Sequence, residues 1–224
     1  MTYPTKQVVA TLKAAVVKTK FMNTKIKSLC ESLINQFDSI PEKRKEILTK
    51  ITQYIQTRKD SNQPISLVYI CTHNARRSFF GQIWAQTASS YYQIPNVTCS
   101  SGGMEVTECH PNSIATLKNQ GFDIQQKTEN KNPIYSVSID RDTVIDCFSK
   151  LYDDSSNPKN DFAAIMVCSD AETNCPFIPE AALRISTTYD DPKEFDGTPM
   201  EKEGYLKRAN QIALECLFIF SQVK

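Results

Sequence analysis

The sequence predicts an α/β protein: three layers, with a parallel sheet covered by helices on both faces, preceded by an amino-terminal helical extension. Three observations carry this. Beyond Pro64, short β-rich apolar runs take turns with helical patterns; before it, two stretches carry apolar residues at helical spacing; and the polar run 58–64 separates the two regimes. Alternation of this kind favours a parallel sheet, because parallel strands are joined by crossovers that are usually helices.

Taken in order, Ile26, Leu29, Leu33, Ile34 and Phe37 recur at helical spacing over about 23–37. Pro41 and Glu42 open a second helical pattern through Ile47, Leu48, Ile51, Tyr54 and Ile55. Residues 65–70 form a short β-rich run, 78–92 read as a helix, and 97–101 as a strand ending in Gly102-Gly103. Residues 111–119 are helix-like and stop at Gly121; 162–167 and 183–187 are further strands, and 201–220 a closing amphipathic helix. The stretch from about 127 to 161 breaks the rhythm and reads as an insertion, with 135–139 as an edge strand and 153–160 as turn and loop. The expected organisation is therefore a helical extension of two or three helices over residues 1–63 and a larger domain over 64–224. Removal of residues 1–60 is expected to leave that domain folded.

Composition narrows the partners. Acidic and basic residues nearly cancel, giving a formal net charge of +1, and no basic tract interleaves with aromatics, so neither nucleic acid nor an anionic membrane is indicated. No segment reaches the ~18 apolar residues of a spanning helix, and the first twenty residues carry no secretory pattern, so a cytoplasmic location is expected. In a reducing cytosol the eight cysteines would be thiols, available for packing, catalysis or redox work. Cys30 and Cys216 fall on apolar helix faces, Cys99 in a strand and Cys147 near a short helix, all read as core residues. With two histidines in the chain and no paired ligand spacing, no metal and no other cofactor is called for.

The residues that promise chemistry are Cys71-Thr72-His73-Asn74-Ala75-Arg76-Arg77-Ser78, placed where a strand ends and a helix opens. A loop of this length can curl its backbone amides around one tetrahedral oxyanion, helped by the positive end of the following helix. A thiol over that field ionises more readily, and the thiolate is the species that attacks phosphorus or arsenic. Arg77 would add a planar fork of donors that a lysine could not reproduce. Asn74 can brace the loop and Ser78 can donate to the Cys71 sulfur; both also suit ordinary turn and N-cap positions.

Cys71-Thr72-x-Asn74-x-x-Arg77-Ser78 resembles the anion loop shared by low-molecular-weight tyrosine phosphatases and thioredoxin-coupled arsenate reductases. The similarity continues through Ser100-Ser101-Gly102-Gly103, Pro111-Asn112-Ser113, Gly121-Phe122-Asp123-Ile124 and Asp190-Asp191-Pro192. It covers roughly 65–224 apart from the insertion, and implies the low-molecular-weight phosphatase fold. By that resemblance Asp191, directly before Pro192, is the acid that protonates the leaving group; without it, Asp190-Asp191 would read as a polar turn. His73 stands where the family usually has Gly, and Arg76 where these reductases often carry another Cys.

Cys168 and Cys175, seven residues apart and followed by Pro176, are similar to the redox segment of the arsenate reductases, a pair that typical low-molecular-weight phosphatases lack. Parallel strands present their carboxyl ends at one edge, so Cys168 can share an edge with Cys71. The resemblance implies a three-cysteine relay through Cys71, Cys168 and Cys175 that releases arsenite, with thioredoxin as reductant. Two other readings stand beside it: phosphomonoester hydrolysis by Cys71, Arg77 and Asp191, and a non-catalytic phosphoprotein-binding or sensor module.

Overall fold

The computed structural model of the protein describes residues 22–174 and 177–224. The expectations placed on residues 1–21, and on Cys175, lie outside the described residues.

Four strands form one parallel sheet in the order β2-β1-β6-β7: β1 (Ile65–Cys71), β2 (Val97–Gly103), β6 (Phe162–Met166) and β7 (Ala181–Ser186). The two inner strands are buried on both faces, as their runs of Val, Ile, Leu and Ala require, whereas β7 alternates and forms an edge. β1 pairs in register from Ile65 opposite Val97 to Cys71 opposite Gly103, and from Leu67 opposite Ala163 to Ile70 opposite Met166. Parallel register of this kind brings the carboxyl ends of β1, β2 and β6 to one edge, and the loop after Cys71 begins there.

Helices flank the sheet. The helix α3 (Arg77–Tyr91) lies on β1 and β2 and is buried from Arg77 to Ser90, because α6 (Glu201–Ser221) covers its other side. Trp84 sits wholly inside, its indole donating to Gln120 (3.2 Å) and its ring meeting Phe122 edge-on, which makes it packing. The helix α4 (Pro111–Gln120) ends on Gly121 at φ +110°, a left-handed cap that suits glycine.

Before the sheet, α1 (Thr24–Ile34) is capped by Asn23, whose side chain accepts from the Lys25 amide, and α2 (Glu42–Asp60) follows. The latter runs through Arg58-Lys59-Asp60, part of the stretch read as linker; the two cations sit in its last turn, where the helix dipole favours them. The connection shrinks to residues 61–64, with Asn62 in the left-handed region at φ +51°. Both helices pack on α6, and α2 also reaches β1 and β7. Ile26, Leu33, Leu48, Ile51 and Ile55 are buried in one apolar cluster with the sheet.

Within the insertion, β4 (Tyr135–Ser138) is the middle strand of an antiparallel sheet between β3 (Asp123–Gln126) and β5 (Val144–Cys147), not an edge. Cys147 therefore lies on a strand and not near a helix. Both flanking strands are four residues long with a single buried side chain each, too little to show a period. A short helix, α5 (Ser169–Asn174), follows β6.

Candidate active site

Between β1 and α3 the chain turns through residues 72–76, and the carbonyls of Thr72, His73 and Ala75 are committed to the scaffold around the loop. That of Thr72 accepts from the amides of Met104 (2.8 Å) and Glu105 (2.9 Å), and that of Ala75 from the amide of His110 (3.0 Å) and the hydroxyl of Ser113 (3.2 Å). The His73 carbonyl takes the hydroxyls of Ser149 (2.9 Å) and Thr107 (3.1 Å). With the carbonyls held outward, the amides of residues 73–76 find no acceptor among the described residues and are left for an anion. The first turn of α3 adds to this, since its N-cap, Arg76, contributes no side-chain capping bond.

Gly103, paired with Cys71, lets the loop pack this closely. A Cβ there would come within 2.8 Å of the Thr72 carbonyl and 2.9 Å of the Asn74 amide. Asn74 is fully buried at φ +50°, a conformation asparagine tolerates better than most residues. Its side-chain amide donates to Ser78 Oγ (2.9 Å) while its carbonyl oxygen accepts from the Lys150 amide (3.1 Å). Because Ser78 Oγ already accepts from Asn74, its own proton is free to point at Cys71 Sγ, 3.0 Å away. Ser149 and Lys150 belong to the insertion, which thus braces the loop; Ser149 is itself fixed by a reciprocal pair of bonds with Asn132.

Arg77 is buried and joins two segments: Nη1 donates to the Tyr189 carbonyl (2.9 Å) and Nη2 to Asp191 Oδ2 (2.5 Å). Among the described residues its Nε has no partner, which leaves a buried donor available to a bound oxyanion. Asp191 caps the 3₁₀ turn Pro192–Phe195, accepting from the Lys193 amide (3.1 Å), and remains part-exposed at the rim. The far end of this turn is pinned by Phe195, whose ring lies where a Cβ on Gly204 would sit, 2.1 Å from the nearest ring carbon. Asp190 points elsewhere, to Arg208 (2.9 Å).

Arg76 does not add a free cation to the loop. Its guanidinium donates to the Tyr205 hydroxyl (2.6 Å) and to Asp196 (2.9 Å). Burial alone would raise the Asp196 carboxyl, but the Tyr205 hydroxyl and Arg76 outweigh it and hold the group below its ordinary value. Asp196 follows the acid-bearing turn, so this pair ties that turn to the anion loop. His73 is exposed and lies 3.4 Å from Glu105.

Cys168 stands just beyond β6, and its sulfur is 3.5 Å from the Thr72 hydroxyl and accepts from the Ala171 amide (3.3 Å). The remaining described cysteines are buried, and burial pushes Cys30, Cys109 and Cys216 up to about 12 and Cys99 and Cys147 well above the ordinary thiol value. Thiols so held stay protonated at working pH, which suits packing and not nucleophilic attack. Sequence reasoning missed Ser149, Lys150, Tyr189, Asp196 and Tyr205. None carries a local signal, since each meets the site across a long stretch of chain.

The site thus brings together a cysteine-led loop at the end of an inner parallel strand, an arginine at its close and an aspartate facing that arginine. No protein-family profile matches the chain. Among curated proteins, it is 27% identical over 142 residues to an arsenate reductase of Bacillus subtilis, covering 63% of this chain and 84% of that protein. To an arsenate reductase of Staphylococcus aureus it is 26% identical over 151 residues, covering 67% and 93%. Among solved structures, an arsenate reductase in a phosphate-binding state aligns with TM-score 0.46 and 16% identity, over 71% of this chain and 99% of that one. A low-molecular-weight phosphotyrosine phosphatase of Vibrio cholerae aligns with TM-score 0.44 and 15% identity, over 70% and 95%. The curated relatives that the chain resembles are thus named arsenate reductases, and they match it over about two thirds of its length.

If Asp191 is the proton donor, Asp191→Asn slows the first chemical step most for strongly basic leaving groups and least for a weakly basic one such as p-nitrophenolate. The check is kcat/KM across a series of aryl phosphates. A uniform loss would assign Asp191 to holding Arg77 and the turn.

Proposed function

We propose that the protein is an arsenate reductase-like enzyme that uses Cys71 as nucleophile on an oxyanion and Cys168 and Cys175 as a thiol–disulfide relay. The observation that carries this reading is the Cys168 sulfur on the Thr72 hydroxyl, beside the loop that Cys71 begins. In the proposed sequence, the Cys71 thiolate displaces a hydroxyl from arsenate, leaving as water once protonated. Cys168 attacks the Cys71 sulfur; the S–As bond breaks, its electron pair reduces As(V) to As(III), and arsenite departs as the Cys71–Cys168 disulfide forms. Cys175 then takes over Cys168 and frees Cys71. Thioredoxin in a reducing, cytoplasmic compartment is the proposed reductant of the Cys168–Cys175 disulfide. The curated relatives named arsenate reductase support the substrate.

The second reading, hydrolysis of phosphomonoesters through a Cys71 phosphoenzyme, is favoured by Asp191 lying on Arg77, where a leaving group could be protonated. Mass mapping after one exposure to arsenate separates the two. Wild type is expected to show Cys168–Cys175, and Cys175→Ser to release one arsenite per molecule and stop at Cys71–Cys168. Cys168→Ser is expected to stop at the arseno-adduct with no disulfide. Wild type that consumes no arsenate and keeps all three thiols free would exclude the relay and leave the phosphatase reading.

A further inference from the structure

A chain of buried contacts joins the amino-terminal helices to the active site, and it begins at Arg44 on α2. Arg44 Nε and Nη2 both donate to Glu215 Oε2 on α6, at 3.0 and 2.8 Å, and Nη2 also reaches the Thr188 carbonyl at 3.4 Å. The guanidinium lies over the Tyr189 ring, 4.9 Å from its centroid. The Tyr189 hydroxyl donates to the same Glu215 oxygen, at 2.8 Å. From Tyr189 the chain continues into the site: its carbonyl accepts from Arg77, and Asp191, two residues on, holds the other arm of the same guanidinium.

We propose that Arg44 is a positioning residue, which through Glu215 and Tyr189 sets the place of the Arg77 fork and of Asp191 at the mouth of the anion loop. This rests on the reading of Cys71, Arg77 and Asp191 as the reacting and clamping groups. The side chains of Glu215 and Arg44 are 5% and 17% exposed. An ion pair so enclosed is costly to desolvate, and apolar residues of similar size would fill the space at least as well. What the charged arrangement adds is direction. Three donors converge on one oxygen of Glu215, which fixes the ring of Tyr189 from its hydroxyl, while Arg44 fixes it from one face. Burial, then the neighbouring Glu215 charge, raises the Tyr189 phenol well above its ordinary value, so it remains a donor throughout the working range. The backbone on either side of Tyr189 is held as well: its amide donates to the Val167 carbonyl, at 3.1 Å, and Thr187 donates to Met166, at 2.8 Å. The segment 187–191 is therefore rigid at the sheet and directed by Arg44 at its outer side, and it carries both contacts that orient Arg77. The extension is in this way part of the device that shapes the oxyanion site.

The test uses the full chain with Arg44→Met, Arg44→Lys, Tyr189→Phe and the double variant Arg44→Met/Glu215→Gln, the last avoiding an unpaired buried carboxylate. Inorganic phosphate is the probe, its dissociation constant read from protection of Cys71 against iodoacetamide. Beside it is measured the first-turnover rate on arsenate or p-nitrophenyl phosphate, whichever the wild type turns over. Displacing a clamp by a fraction of an ångström is expected to weaken phosphate binding and slow turnover roughly tenfold each in Arg44→Met and in the double variant. Tyr189→Phe is expected to lose less, and Arg44→Lys to recover part of the loss. A purely structural role would lower the melting temperature while leaving phosphate affinity and turnover of the folded protein unchanged. A double variant that melts cooperatively and matches wild type in both measurements would overturn the proposal. If phosphate fails to protect Cys71 in the wild type, the reading of the site itself falls, whatever the Arg44 variants do.

Discussion

Cys71→Ser is expected to abolish turnover, by about 10⁴-fold or more, on arsenate and on aryl phosphates alike, with a melting temperature within a few degrees of wild type. The loop is arranged around the Cys71 sulfur. Ser78 Oγ lies 3.0 Å from the sulfur, oriented by Asn74, and among the described residues the amides of residues 73–76 have no competing acceptor. A serine hydroxyl would gain from the same field but stay un-ionised, so it would not attack. Arg77→Lys is the companion case. The guanidinium spans the Tyr189 carbonyl and Asp191 at once and still has Nε to offer, a reach that one ammonium cannot match. Turnover is expected to drop about 10²- to 10³-fold. One buried acceptor is left unpaired as well, costing about 1–3 kcal/mol of stability. Measurement of kcat/KM beside a thermal melt checks both. Near-normal turnover of folded Cys71→Ser on either substrate would end the nucleophile assignment.

What could be read from the sequence was what is local. The loop from Cys71 to Ser78 is eight consecutive residues running from the end of a strand into a helix, so its place in the fold was legible from residue type and spacing. The inner strands were legible because β1 and β6 are continuous apolar runs, and α2 because its buried positions recur at helical spacing. Asp191 entered only through a resemblance, since nothing in Asp190-Asp191-Pro192 separates the two carboxylates; in the fold Asp191 meets Arg77 and Asp190 meets Arg208. The role of Arg76 was unreadable for the same reason. A second arginine in the loop suggests extra positive charge, yet its partner Asp196 lies 120 residues on. The strands of the insertion gave little signal because each is four residues long, and β4 reads as an edge until its two partners are known.

Deletion of residues 1–60 is the other change expected to have a large effect, and its direction reverses what the polar run before Pro64 suggested. Ile26, Leu33, Leu48, Ile51 and Ile55 are each at most 4% exposed, in the same apolar cluster as the sheet. Burying an aliphatic side chain of this size contributes about 1.5–3 kcal/mol. Five of them amount to roughly 10 kcal/mol, as large as the whole net stability of a typical domain. The loss would extend beyond those residues. Thr52 donates to the Ile219 carbonyl (2.9 Å), and α1 and α2 cover a face of α6 that would be left apolar and wet. Glu215 would keep its burial against Tyr189 while losing the Arg44 charge. We propose that the division near residue 63 marks a step in chain organisation and that residues 24–60 fold as part of the same unit. The truncated chain is then expected to be insoluble or molten: helical by far-ultraviolet circular dichroism, without a cooperative melt, and binding a hydrophobic dye. A chain beginning at residue 61 that melts cooperatively within a few degrees of the full-length protein, and whose Cys71 is still protected by phosphate, would show instead that the helices are an accessory and that the larger domain stands alone.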